Sequence, residues 1–125
     1  MRVLLPLALA AGLSVSPAHA ACTYPKAPTN IPDGATATLE EMKAAQQAVK
    51  QYDQDISAYL ACLKLEHDAA IARAGDELTE ERKQELERIQ IQKHNAAIDE
   101  LEAVAARFNE QVRVFRERND KKNKS

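Results

Sequence analysis

The sequence predicts an all-α protein: a long antiparallel two-helix hairpin, coiled-coil-like, with an extended proline-rich N-terminal arm stapled to the first helix by a disulfide. Three observations predict it. Apolar residues recur every seven positions over two long stretches, a short turn-forming segment with a glycine separates them, and the two cysteines lie forty residues apart with all the mature prolines close to the first. The chain is rich in alanine and charge and has only 4% aromatic residues and no tryptophan, a balance that suits solvated helices better than a compact α/β domain.

Residues 1–20 read as a secretory signal. Arg2 supplies a positive start, residues 3–15 form an apolar run of about 13 residues, and Ala18-His19-Ala20 is a small-x-small cleavage site, with cleavage expected after Ala20. The run is shorter than the roughly 18 to 20 residues of a spanning helix, and no transmembrane segment is expected in the mature chain. A competing reading lipidates Cys22, although a lipoprotein signal favours an aliphatic residue where His19 stands. Without Arg2 the charge is about −3, so no general attraction to nucleic acid is expected.

The mature chain divides into a proline-rich arm over residues 21–37, a helical hairpin over 38–118 and a basic tail over 119–125. In the arm, Pro25, Pro28 and Pro32 favour extended backbone, with a turn at Pro32-Asp33-Gly34. The first helix, about 39–74, opens on a capping box of Thr38 and Glu41. Its seam carries Met42, Val49, Ile56, Leu63 and Ala70, joined by Ala45, Tyr52 and Tyr59. Gly75 is placed to cap its end.

The second helix, about 80–118, starts from an N-cap at Thr79 or Asp76. Its expected seam is Ile91, Ile98, Ala105 and Val112, with Leu101, Phe108 and Phe115 three residues after three of them. Two helices of about 36 and 39 residues across a short loop make an antiparallel pair about 54 to 58 Å long. Such a hairpin has a small core and needs a staple or a partner.

Export places Cys22 and Cys62 where disulfides persist, and two cysteines allow one intramolecular pairing. Cys62 lies about 36 Å along the first helix, and about sixteen residues of polyproline-like arm reach about 50 Å. Pairing therefore requires the arm to double back along the first helix, over the flank that carries Ala44, Ala48 and Asp55.

No catalytic residue is expected, and no metal ligand or cofactor. His67 and His94 fall on or beside the apolar faces, about 10 Å apart along the axis, too far to share a metal. The acidic clusters are explained as solvated helix starts. Leu65 and Ile89, toward the backs of the helices, form a candidate interaction surface for a homodimer or another protein. Arg113, Arg116, Arg118, Lys121, Lys122 and Lys124 form a candidate polyanion contact.

Cys22-Thr23-Tyr24-Pro25, Ile31-Pro32-Asp33-Gly34, Glu41-Met42 with Ala45, Tyr59-Leu60-Ala61-Cys62-Leu63 and Phe108-Asn109 together resemble a functionally uncharacterised family of small exported proteobacterial helical proteins with paired cysteines. The resemblance covers most of the mature chain. It implies a periplasmic address and a cysteine pair, and transfers no active-site residue. The expected function is that of an exported periplasmic, non-enzymatic interaction or scaffold protein, chaperone-like or otherwise, acting through its hairpin surface on an unknown envelope protein. The alternative is a peripheral envelope binder whose basic end contacts anionic lipid or another polyanion.

Overall fold

The computed structural model describes residues 21–125; the expected signal segment lies outside the described residues. Helix α1 spans Leu39–Ala74 and helix α2 spans Glu80–Asn123, and the two pack against each other as a hairpin. A 3-10 turn over Gly75–Glu77 joins them.

Local chemistry sets the helix ends. The Thr38 hydroxyl accepts from the Glu41 amide at 3.1 Å, and the Glu41 carboxylate accepts from the Thr38 amide at 2.7 Å, so the capping box is complete. Thr79 caps α2 by accepting from the Arg82 amide. Gly75 ends α1 with φ of 50°, a conformation that side chains disfavour, while its amide reaches back to the Ile71 carbonyl.

α2 continues five residues past its expected end near 118. Arg118 is fastened to the arm, and Lys121 and Lys122 favour the negative end of the helix dipole. Residues 119–123, expected in a basic tail, are therefore helical.

On α1 the expected seam forms: Met42, Ala45, Tyr52, Ile56, Tyr59 and Leu63 are buried, and Val49 packs against them half-buried. On α2 the expected seam forms in part: Leu101 packs against the core, while the line of Ile91, Ile98, Ala105 and Val112 gives way to one a residue earlier. Ala97 and Val104 are fully buried, Ile98 is half-buried and Ile91 is 57% exposed. One residue is about 100° of helix.

The arm explains the turn, because α2 faces both α1 and the arm. Ala97, Val104, Gln111 and Arg118 stand seven apart, and this series faces inward with its last two members bonding the arm. The Gln111 side-chain oxygen accepts from the Gly34 amide at 2.8 Å. Arg118 donates to the carbonyls of Ala35 at 2.8 Å and Ala37 at 2.6 Å. Polar residues thus occupy inward positions where an apolar pattern cannot register them.

The arm consequently lies along both helices rather than on α1 alone. Ile31 and Pro32 border two shallow hollows, one shared with Ala44, Ala45 and Ala48 of α1, the other with Ala106, Arg107 and Gln111 of α2. Ala44 and Ala48 stay exposed, while Ala45 is buried. The expected turn is present: the Asp33 carbonyl accepts from the amides of Thr36 and Ala37, and its carboxylate accepts from the Ala35 amide.

Gly34 is buried where arm and α2 meet. A β-carbon there would overlap the Gln111 carbonyl oxygen and stand 2.8 Å from the Phe115 amide nitrogen, both backbone atoms that a helix cannot easily yield. Gly34→Ala is expected to lower stability by about 2 to 3 kcal/mol, in the range for forced overpacking. Thermal melting of the oxidised proteins checks this; an unchanged midpoint would contradict the close approach.

Candidate functional site

Two surfaces of the hairpin differ in kind: one is closed by the arm, the other is open. On the closed side, Cys22 and Cys62 form a disulfide with their Cα atoms 5.8 Å apart. Cys22 packs against the core cluster, Cys62 is half-buried, and among the described residues no cysteine is free.

Next to the disulfide, the Tyr24 ring meets Tyr59 edge-on, with centroids 5.1 Å apart. The Tyr24 hydroxyl donates to the Glu100 carboxylate at 2.6 Å, tying this end of the arm to α2 as well. That bond to a carboxylate, aided by partial burial, pushes the Tyr24 phenol up to about 12 from its ordinary 10.0. Tyr52, buried beneath, is also pushed up, chiefly by burial and secondarily by Glu100. Among the described residues its hydroxyl has no hydrogen-bond partner.

The sequence-predicted contact residues separate. Leu65 is 70% exposed, as expected of a residue on the back of α1. Ile89 is half-buried and lines a small cavity of about 60 Å³ between the helices with Leu63, His67 and Leu86. The two therefore do not share one exposed level, because the turn of α2 carries Ile89 toward α1. The same rotation leaves His94 exposed while His67 is half-buried at the cavity. Lys93 reaches Glu66 across the seam at 3.4 Å.

Of the six cations expected to contact a polyanion, two are engaged within the fold. Arg118 serves the arm and sits 5.0 Å over the Phe115 ring. Arg113 is gripped by Glu110 and Glu117, which raises its already high pKa and lowers that of Glu110. Arg116, Lys121, Lys122 and Lys124 are exposed and in no ion pair among the described residues.

No protein-family model matches the chain, and no curated protein or solved structure is significantly similar to it. Its surfaces must be read from their own chemistry.

On the open side, a groove of about 350 Å³ runs between Leu39 and Met42 of α1 and Phe108, Val112 and Phe115 of α2. Leu39 and Ile91 are more than half exposed. Among the described residues no helix is long and apolar enough to cross a membrane, and no group of three His, Cys, Asp or Glu side chains is placed to hold a metal ion. The arrangement can present a long, ridged apolar face. The missed features were the close approach of Gly34 to α2 and the roles of Glu100 and Gln111; the only trace of the last was a polar residue seven positions after Val104.

Two outcomes test the closed side. Closing a loop of separation 40 stabilises by about 4 kcal/mol in the chain-entropy model, so Cys62→Ser should melt lower. Limited proteolysis of that variant should release the Cys22 end of the arm first, since Gln111 and Arg118 still hold the other end. The second concerns pH. A folded pKa raised above the unfolded value means the contribution of Tyr24 is complete below pH 10 and is lost as pH rises through about 12. Phenolate absorbance should show a late step near pH 12 that Tyr24→Phe removes, and the variant should lose less stability across that window.

Proposed function

We propose that this protein is an exported, periplasmic, non-enzymatic scaffold that binds an envelope protein through its helical-hairpin surface. The observation that carries the reading is the division of the hairpin into a closed and an open side. The arm, the disulfide and the Arg118 contacts occupy one side and stiffen it. The opposite side retains a groove with an apolar floor of Leu39, Met42, Phe108, Val112 and Phe115 and a polar rim of Lys43, Gln46, Asn109 and Arg116. Rigid helices with a preformed apolar face are suited to docking, because little order has to be gained on binding.

The periplasmic address is supported by the signal-like residues 1–20 and by a disulfide of the kind that persists in oxidising compartments. The resemblance to small exported proteobacterial proteins points the same way.

A second reading has its own observation. Arg116, Lys121, Lys122 and Lys124 are exposed on the last turns of α2 and at its end, where they suit anionic lipid headgroups. That contact would weaken steeply with salt, whereas an apolar one would not.

Cross-linking in the native envelope separates the two. A photoreactive residue in place of Leu39 is expected to capture one defined envelope protein, with capture persisting at 0.5 M salt, a concentration at which screening is about complete. Capture that disappears in salt, together with liposome binding abolished by removing residues 121–125, would favour the lipid reading instead.

A further inference from the structure

The two ends of the arm are held by different means. Residues 33–37 carry backbone hydrogen bonds to Gln111, to Arg118 and within the Asp33 turn. Residues 21–32 make no backbone hydrogen bond among the described residues, and the exposed bond of Tyr24 to Glu100 is made by a side chain. Such a bond replaces one to water at little net gain. Apolar contact is also slight: Cys22 and Ala27 pack against the core cluster, and the Tyr24 ring, itself exposed, meets Tyr59 edge-on. The covalent bond from Cys22 to Cys62 is therefore what keeps this stretch on the hairpin. Breaking it lowers stability but removes no contact of the clasp, of the capping box, or of Ile56 and Leu63 with Ala97 and Val104.

The disulfide is also within reach from outside. Both cysteines are half-buried, and an open hollow of about 470 Å³ beside Cys62 is walled by Tyr24, Lys26, Asp55, Ala58 and Tyr59. Lys26 is exposed and in no ion pair among the described residues. Asp55 accepts from the Gln51 side chain at 2.9 Å, and Lys26 balances its charge, so an approaching thiolate meets no net negative wall. Opening also relieves a buried group. Tyr52 lies between Ala48 and Asp55 on α1, which face the arm across hollows, and its hydroxyl is buried without a hydrogen-bond partner among the described residues. Water can satisfy that hydroxyl once this part of the arm lifts.

We propose that residues 21–32 are a redox-operated strap: a protein dithiol reaches the Cys22–Cys62 disulfide through this hollow and reduces it, and the strap lifts from Tyr52, Tyr59 and Glu100 while residues 33–37 stay clasped to α2. A thiolate of the dithiol attacks one sulfur, forming a mixed disulfide, and the other cysteine leaves as a thiolate. The second thiol of the dithiol then attacks the mixed disulfide. Two electrons pass to this protein, the two protons given up by the dithiol end on Cys22 and Cys62, and the partner departs as a disulfide. The clasp keeps the lifted strap tethered, so Cys22 stays at an effective concentration on the order of millimolar near Cys62 and reoxidation is intramolecular. This device concerns the arm side of the hairpin and does not rest on the scaffold reading.

Backbone relaxation by NMR, on the oxidised protein and after reduction by thioredoxin without denaturant, tests this. Thioredoxin, a protein dithiol, is expected to free both thiols, as counted by alkylation and mass spectrometry. Order parameters for residues 23–31 should then fall from about 0.85 to below about 0.6, while Gly34, Ala35 and both helices keep theirs. The Tyr24 phenol should titrate near its ordinary 10.0 instead of about 12, and reoxidation should restore both readings. The double variant Cys22→Ser with Cys62→Ser should show the lifted strap from the outset and no response to thioredoxin. Ala58→Trp, at an exposed position on the wall of the hollow, should slow reduction about 10-fold with the oxidised melting point unchanged. A disulfide that yields only in denaturant, a strap that stays ordered after reduction, a hairpin that loses its helicity together with the strap, or an Ala58→Trp protein reduced as fast as the wild type would each overturn the proposal.

Discussion

An extended arm rich in proline cannot satisfy its own backbone, so its amides and carbonyls need partners from elsewhere. α2 supplies them through Gln111 and Arg118, which bond the backbone of Gly34, Ala35 and Ala37 just before α1 begins. This clasp joins the start of α1 to the last turns of α2 in space and sets which face of α2 turns inward. The burial of Ala97 and Val104, the position of Ile89 and the exposure of Ile91 follow from it. At the far end of the arm the disulfide and the Tyr24–Glu100 bond hold against the same two helices.

The fully buried set is short: Tyr52, Ile56, Ala97 and Val104 lead it. A hairpin with so narrow a seam gains little from apolar burial alone, which is why a covalent constraint on the unfolded chain matters here. Surface ion pairs within a single helix, such as Arg88 with Glu85 and Lys64 with Asp68, support helix formation but add little to the fold. The arm acts as a third packing element, filling the groove that a third helix would occupy in a bundle. It does so with backbone hydrogen bonds and a tyrosine edge, and only modestly with apolar area.

Filling one groove sharpens the contrast with the other. The same side chains that make α2 regular, an isoleucine or valine every seventh residue, are left at the margin of the core once the clasp has rotated the helix. Electrostatics divide similarly. Arg118 and Arg113 are used internally, so the cationic end that remains available is narrower than the count of basic residues suggests.

Both ends of α1, the start of α2, the hairpin, the turn after Pro32 and the pairing of Cys22 with Cys62 were legible because each rests on local chemistry or on reach. A capping box is four residues long, a left-handed glycine is one, and two cysteines in one chain leave one intramolecular choice. The seam of α1 was legible because it is wholly apolar. The seam of α2 was legible only in part, at Leu101, since its inward series ends in Gln111 and Arg118, whose polarity serves a segment more than seventy residues away in the chain. Only the tertiary structure could decide that rotation. Periodicity fixes the spacing of a stripe, whereas its facing depends on which neighbours need hydrogen bonds as well as which need covering.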